Sequence, residues 1–493
     1  MVNMNVTIIG SGFAGLSSAA ILASKGYNVR VIEKHNQIGG RARQFNEKGY
    51  NFDMGPSWYW MPDVFDQFFN QFQKSTKDYY ELLKLDPGFQ IIFEDQKNLV
   101  IPAQFEKLES LFNKIEPGSS KMLKKFMKEA EFKYSFGMSS VVFQPGISWM
   151  EFCKLDLFKN VFRLQILSSY KSHVAKYFKH PKLRALLEFP VLFLGTAPKD
   201  TPALYSLMAY SGLIQGTFYP MGGFHQVIKG MGKLCVDLGV SFNLGQPVEE
   251  IEIKNSKVYS VKTKTKSYLT DILIGSADYH HIENNLLPKN FRNYSENYWS
   301  KKTFSPSCLL FYLGINKKLK KIIHHNLFFD ANIEQHIDEV YSKKTWPKNP
   351  LFYACCPSKT DPSTAPKNKE NIFLLIPITP GLEDRKDLRD HYFSLILKRL
   401  EDYCGENILD YIEYKKDYCI NDFIYDYNAY KGNAYGLANT LFQTANFKPS
   451  ITNKKLPNLF YTGQLTVPGP GVPPSLISGQ IVAKHIIENI PLS

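Results

Sequence analysis

Asn5-Val6-Thr7-Ile8-Ile9-Gly10-Ser11-Gly12-Phe13-Ala14-Gly15 is the stretch that decides the fold. A β-like apolar run leads straight into G-x-G-x-x-G, and a helical pattern, Leu16 to Lys25, follows until Gly26 stops it. A second alternating run, Asn28 to Glu33, completes the front half of a βαβ unit. In such a turn Gly10 permits the tight bend, Gly12 lets a pyrophosphate approach bare backbone, and Gly15 brings helix and strand close together. Phe13 and Ala14 open the helix, whose free N–H groups and dipole meet phosphate charge. Glu33 ends the second strand 23 positions after Gly10, where a carboxylate accepts hydrogen bonds from a ribose. Strand, glycines, helix, strand and acid in that order predict a dinucleotide site. A carboxylate suits a 2′-hydroxyl and repels a 2′-phosphate, so the nucleotide is FAD or NAD rather than NADP.

Composition bounds the rest. The chain has 493 residues, 44% hydrophobic and 21% charged, which is globular material for two to four domains and excludes wholesale disorder. Its seven cysteines, at 153, 235, 308, 355, 356, 404 and 419, form no C-x-x-C pair. That spread excludes a disulfide framework, a zinc ribbon and a thioredoxin motif, fits a reducing cytosol, and predicts no metal site. Lysine plus arginine number 59 against 46 acids, a formal +13 that points to an anionic partner, with nucleic acid and anionic lipid both open. Rings make up 14% of the chain and suit a large apolar ligand site, an interfacial surface or a generous core. No run approaches the roughly 18 apolar residues of a membrane span. The first strand begins so early that a cleavable secretory signal would have to be that strand itself.

Gly39-Gly40-Arg41-Ala42-Arg43 follows the second strand and offers bare backbone and guanidinium donors to a second phosphate-rich edge. With Glu33, it resembles the two-dinucleotide-fold FAD proteins related to amine oxidases, in which Gly40 and Arg41 would hold the flavin pyrophosphate. Asp53-Met54-Gly55-Pro56-Ser57 resembles their D-x-G-P segment, which implies that Gly55, Pro56 and Ser57 lie beside the isoalloxazine. Gly216-Thr217-Phe218-Tyr219-Pro220-Met221-Gly222-Gly223 resembles the G-x-x-Y-P-x-G-G element of carotenoid desaturases. A helix, Phe224 to Leu238, and a strand from Val248 come next, and Val248 is expected against the adenine. Near the end, Tyr461-Thr462-Gly463-Gln464 leads to Pro468-Gly469-Pro470-Gly471-Val472-Pro473-Pro474-Ser475 and a last helix. Proline in a first helical turn forfeits no hydrogen bond. The helix start at Gly471, Val472 and Pro473 would face the flavin edge that gains negative charge on reduction.

Together these segments resemble bacterial-type phytoene desaturases and related carotenoid desaturases. The resemblance implies an α/β fold with a Rossmann-like FAD-binding domain built from residues 1–75, 215–300 and 440–493. Into it would be inserted a mixed α+β substrate domain, 76–214 and 301–439, with a helical, membrane-facing part. One departure stands out: Gln464 and Val467 occupy places where relatives carry an acid and a histidine. Gly463 and Gln464 can still serve a ribityl hydroxyl or phosphate, but a proton shuttle at 467 is absent.

The implied activity is FAD-dependent desaturation of a C40 carotene, 15-cis-phytoene toward lycopene. A C30 or hydroxylated carotenoid, a flavin-dependent isomerase, an amine oxidase and a non-catalytic FAD-containing carrier are the alternatives. The substrate side calls for an apolar tunnel. The aromatic helical region Phe136–Leu213 and the run Cys308–Leu313 are the available material, with Phe143, Trp149, Phe152 and Phe189 as candidates, each better suited to a core than to a tunnel wall. No catalytic acid or base is assigned; His225 and Arg184 are the available groups. A carotene resides in the bilayer, so peripheral contact with the inner face of the cell membrane from the cytoplasm is expected, without nucleic acid. The helix from Lys121, with Met122, Phe126 and Ala130 along one side, and the run Lys317–Lys321 could supply that contact or be solvated faces. Lys359–Lys369 reads as an exposed loop.

Overall fold

A computed structural model describes residues 4–148, 151, 160 and 163–492. Trp149, Phe152 and Cys153 lie outside the described residues. Strand β1 (Asn5–Ile9), helix α1 (Phe13–Ser24) and strand β2 (Asn28–Ile32) form as the opening pattern predicts. β1 pairs in parallel with β2 on one side and with Ile272–Gly275 on the other. Leu459–Tyr461 and Ser241–Asn243 close the edges of this five-stranded parallel sheet. Its strands thus come from the front, the middle and the end of the chain. A parallel sheet needs cover on both faces. One face is covered by α1 together with the final helix, Val472–Asn489, and the helix His225–Asp237.

Val248–Lys254 and Lys257–Thr263 form a hairpin, turning at Asn255 and Ser256 with positive φ. A second, seven-stranded sheet runs in the order 412–418, 307–315, 370–378, 352–355, 325–329, 89–93, 98–101. Its pairings are antiparallel except where His325–Phe329 meets Phe89–Phe93. Because side chains alternate across a sheet, Ser307–Ile315 serves two cores. Leu309, Phe311 and Leu313 pack under the helix Lys386–Cys404, while Cys308, Leu310 and Tyr312 face the dinucleotide half.

The helix Pro62–Asn70 ends well before Leu82–Lys84, which pairs as a short strand with Phe218–Pro220. Two expectations are corrected. Lys359–Lys369 is not an open loop: Asp361, Thr364 and Ala365 are buried, and Asp361 Oδ2 accepts from the Gly222 amide at 2.6 Å. The apolar stripe of the helix Ser119–Ser140 faces inward. Phe126 and Ala130 are buried, Phe126 lying against His173, Tyr177 and Phe178, and only Met122 of the three is exposed.

Candidate functional site

The carboxyl ends of a parallel sheet, where neighbouring crossovers diverge, form a crevice. Here that crevice opens between β1 and Ile272–Gly275, and a cavity of about 390 Å³ extends from it to the seven-stranded sheet. Every residue anticipated at the cofactor except Gly15 lines it. Gly10, Gly12, Phe13, Ala14 and Glu33 come from the βαβ unit, and Gly40 and Arg41 from the turn after β2. Gly55, Pro56, Ser57 and Val248 join them, and Gly463, Gln464, Gly471, Val472 and Pro473 complete the rim. Gly15 stands behind the wall. A Cβ there would sit 2.2 Å from the Gly10 carbonyl oxygen, the close helix–strand approach its place in the motif requires.

The residues fit a dinucleotide on their own chemistry. Helix α1 starts at Gly12 with no side-chain cap and no acid in its first turn, so its positive end is left for an anion. Glu33 is buried and held by the Ser11 amide at 2.9 Å, the Ser11 hydroxyl at 2.6 Å and the His35 amide at 3.0 Å. Arg41 donates through one nitrogen to the Asn433 carbonyl at 3.2 Å and lies over the Tyr427 ring, while its buried Nε has no hydrogen-bond partner among the described residues. A buried donor without an acceptor is costly and marks a place for one. At the opposite rim, Pro473 and Pro474 carry no N–H and the Ser475 amide bonds back to Gly471 at 3.0 Å. Val472 therefore supplies the helical amide at that end. Gln464 faces the cavity and donates to Asn433 Oδ1 at 3.1 Å.

The opposite wall is apolar. Trp58, Trp60, Met61, Leu194, Met208 and Tyr435 line it together with Cys308, Leu310, Tyr353 and Leu375 from the seven-stranded sheet. Of the anticipated tunnel residues, Cys308 and Leu310 reach it. Phe189 instead packs behind Trp58 and Trp60, and Phe143 against the core. His225 is structural, with Nδ1 at 2.8 Å from the Ala42 carbonyl oxygen, and Arg184 neighbours Glu188 at 3.8 Å. Neither lines the cavity.

Sequence reasoning missed two features. Asp53 caps the helix His225–Asp237 from a distant strand, accepting from the Phe224 amide at 2.6 Å and the His225 amide at 3.1 Å. Burial pushes its carboxyl up to about 6 against those two donors. The other is a polar cluster behind the apolar wall. His324, His325 and Cys355 are buried with donor atoms within 4.8 Å of one another. His324 Nδ1 meets Thr360 Oγ1 at 2.7 Å and His325 Nδ1 meets Tyr353 Oη at 2.5 Å. Cross-strand register, which spacing alone does not reveal, brings them together: His325 pairs with Cys355, and Tyr353 is two residues along on the same face.

Residues 13–487 match the family described as flavin containing amine oxidoreductase. The carotenoid 3,4-desaturase of Haloarcula japonica is 38% identical over 487 residues, covering 99% of this chain and 98% of that protein. The 4,4'-diapophytoene desaturase (4,4'-diaponeurosporene-forming) of Staphylococcus haemolyticus is 30% identical, with 99% of each chain covered. The phytoene desaturase of Phycomyces blakesleeanus is 29% identical over 98% of this chain and 85% of its own. Among solved structures, putrescine oxidase bound to putrescine has a TM-score of 0.63 at 13% identity, covering 99% of this chain and 100% of that one. An oxidoreductase from Methanosarcina mazei also reaches 0.63, at 16% identity, covering 98% and 100%. The crevice, its uncapped helix ends and these likenesses agree: the chain belongs to the flavin containing amine oxidoreductases, among the carotenoid desaturases, and is an FAD-dependent oxidoreductase.

Proposed function

We propose that the chain removes two hydrogens from a –CH2–CH2– unit of a carotenoid, making a new conjugated double bond. The observation that carries this reading is a single cavity with a dinucleotide cradle on one wall and rings and branched aliphatics on the other. The bound FAD supplies the two-electron oxidation. Glu33, Arg41 and the amides of Gly12 to Ala14 would hold it, with the segment Gly55–Ser57 lining the same cavity. The Trp58, Trp60, Leu310 and Leu375 side chains lay the oily chain alongside and keep water out. In this reading residues 1–75, 215–300 and 440–493 form the FAD half, and 76–214 and 301–439 the inserted substrate half.

The first substrate proposed is 15-cis-phytoene, taken toward lycopene. A specific observation favours a second: the relative at 38% identity is named for the 3,4 bond, whereas the phytoene desaturase of Phycomyces stands at 29%. Expression in one host that accumulates phytoene and another that accumulates lycopene separates them. Red pigment in the first supports phytoene. Loss of two hydrogens from lycopene in the second supports the 3,4 bond, and unchanged mass in both hosts refutes both of these substrates.

Peripheral contact with the inner face of the cell membrane is proposed from the cytoplasmic side, where such a substrate must be collected. Among the described residues no helix is long and apolar enough to cross a membrane. The run Lys317–Lys321 lends this little support. Lys317 pairs with Glu406 at 3.1 Å, Lys318 with Glu370 at 3.6 Å, and Lys321 donates to the Tyr403 carbonyl at 2.9 Å. Support comes instead from Leu441, Phe442 and Phe447, which are exposed beside the cavity wall.

A further inference from the structure

Desaturation must dispose of a proton as well as a hydride, in a cavity that the apolar wall keeps dry. Titratable side chains are scarce on that wall: Cys308, Tyr353 and Tyr435. Of these, Tyr353 is the one joined to a base. Its Oη lies 2.5 Å from His325 Nδ1 and 3.1 Å from Ser57 Oγ. Ser57 belongs to the Gly55–Ser57 segment of the cofactor cradle, so the phenol sits where that cradle meets the substrate wall.

The imidazole behind it is held in place on every side. His325 is fully buried, stacks on Trp58 at 4.2 Å between centroids and 11° between planes, and lies 4.4 Å from the His324 ring. Cys355 Sγ is 3.9 Å from its Nδ1. Its Nε2 is buried and, among the described residues, has no hydrogen-bond partner. Burial, reinforced by His324, drives His325 well below its ordinary value, and burial holds His324 down at about 3, so both rings are neutral. The acid that acts on His324, Asp361, is tied to the Gly222 amide. A neutral imidazole aimed at a phenol that faces the substrate is a proton acceptor with one route in.

We propose that Tyr353 is the catalytic residue that takes the proton the substrate loses, with His325 as the positioning residue that receives the phenol's own proton. This rests on the desaturase reading. The oxidised flavin that Glu33, Arg41 and the Gly12–Ala14 amides would hold would supply the hydride acceptor, so that one methylene C–H bond breaks with its electron pair leaving the substrate. The neighbouring C–H pair becomes the new π bond as its proton moves to Tyr353 Oη, and the phenolic proton passes to His325 Nδ1. The imidazolium so formed balances the negative charge that accompanies the hydride. A strong base is not required, because a proton beside an allylic cation is highly acidic; a weak, correctly placed one suffices.

Tyr353→Phe removes one oxygen and tests this in the FAD-loaded enzyme, mixed anaerobically with carotenoid liposomes. If wild-type enzyme neither bleaches nor forms a longer polyene with any carotenoid tried, the desaturase reading itself fails. Given wild-type turnover, the variant is expected to keep its flavin content and melting temperature while polyene formation slows by about 10²–10⁴-fold. Deuterium on the methylene that loses the proton should then slow the variant more than the wild type. A purely structural role would leave that isotope effect unchanged, and a wild-type rate in the variant overturns the proposal. Should the variant fold poorly, nitrogen-15 histidine spectra of the wild-type holoenzyme decide. The resonance lost in His325→Phe is expected to be a neutral ring protonated at Nε2 and accepting at Nδ1. An imidazolium, an Nδ1-protonated ring or a stoichiometric bound metal there overturns it.

Discussion

The amine of Lys448 is buried, and among the described residues its Nζ has no hydrogen-bond partner. It sits against Gly469, where a Cβ would come within 3.2 Å of the amine, in the loop that leads to the final helix. Burial, with Lys302 adding repulsion, lowers it from its ordinary 10.5 to about 7. The sign of its effect on stability follows. Between about 7 and 10.5 the unfolded chain carries this proton and the folded one does not, so stability rises with pH across that window. Below about 7 both states are protonated and the full cost of burying the charge remains. Lys448→Met should therefore stabilise the protein at pH 7 by about 1–3 kcal/mol, and that advantage should shrink toward pH 10. Thermal melts of both proteins at pH 7 and pH 10 check it; equal gains at both values would mean the charge is not the cause.

At the scale of elements, the crossing of α1 with the final helix fixes how the two ends of the chain close the crevice. Gly479 lies in that crossing, where a Cβ would come within 2.0 Å of Ser17 Oγ and 2.2 Å of the Ala14 carbonyl oxygen. The same interface is laced by hydroxyls: Ser17 donates to the Leu476 carbonyl at 2.9 Å and Ser18 to that of Gly479 at 3.2 Å. Gly479→Ala must spread the helices, moving Ala14 and Val472 on opposite rims of the cavity. It is expected to cost about 1–3 kcal/mol and to lower flavin occupancy in the purified protein, which absorbance reads directly. The fold and cofactor cradle were legible because their signals are local: Gly10 to Glu33 and Gly463 to Ser475 are short stretches in which spacing dictates geometry. The substrate wall was not. Ser307–Ile315 and Glu370–Ile378 are apolar on both faces, so no alternation tells which side faces the ligand. The Asp53 cap and the His325–Tyr353 pair join residues 171 and 28 positions apart; tertiary packing of a helix end creates the first and strand register the second. The stripe of Phe126 and Ala130 has the period of an interfacial helix, but other helices were waiting to cover it.

For the whole molecule, the question is how an oily substrate reaches a cavity in the interior. Leu441, Phe442 and Phe447 stand exposed on two short turns, with the Phe442 and Phe447 rings 6.1 Å apart. Ile147 is exposed close by, since Gly146 packs against Ala445 and Val467. The turns are anchored. Gln443 bonds both the amide and the carbonyl of Thr303, and the Asn439 amide donates at 3.1 Å to the carbonyl of Leu194, a residue of the cavity wall. A rigid apolar knob, one residue chain away from the substrate wall and beside Lys301 and Lys302, suits the boundary of an anionic bilayer. Each ring or aliphatic buried there contributes about 1.5–3 kcal/mol at most. Changing Leu441, Phe442 and Phe447 together to serine should weaken partition onto anionic liposomes by on the order of 100-fold or more while the flavin spectrum stays unchanged. Turnover of liposomal carotenoid should fall with it, and detergent-dispersed carotenoid should restore turnover. If the triple variant sediments with liposomes as the wild type does, the knob is not the docking surface.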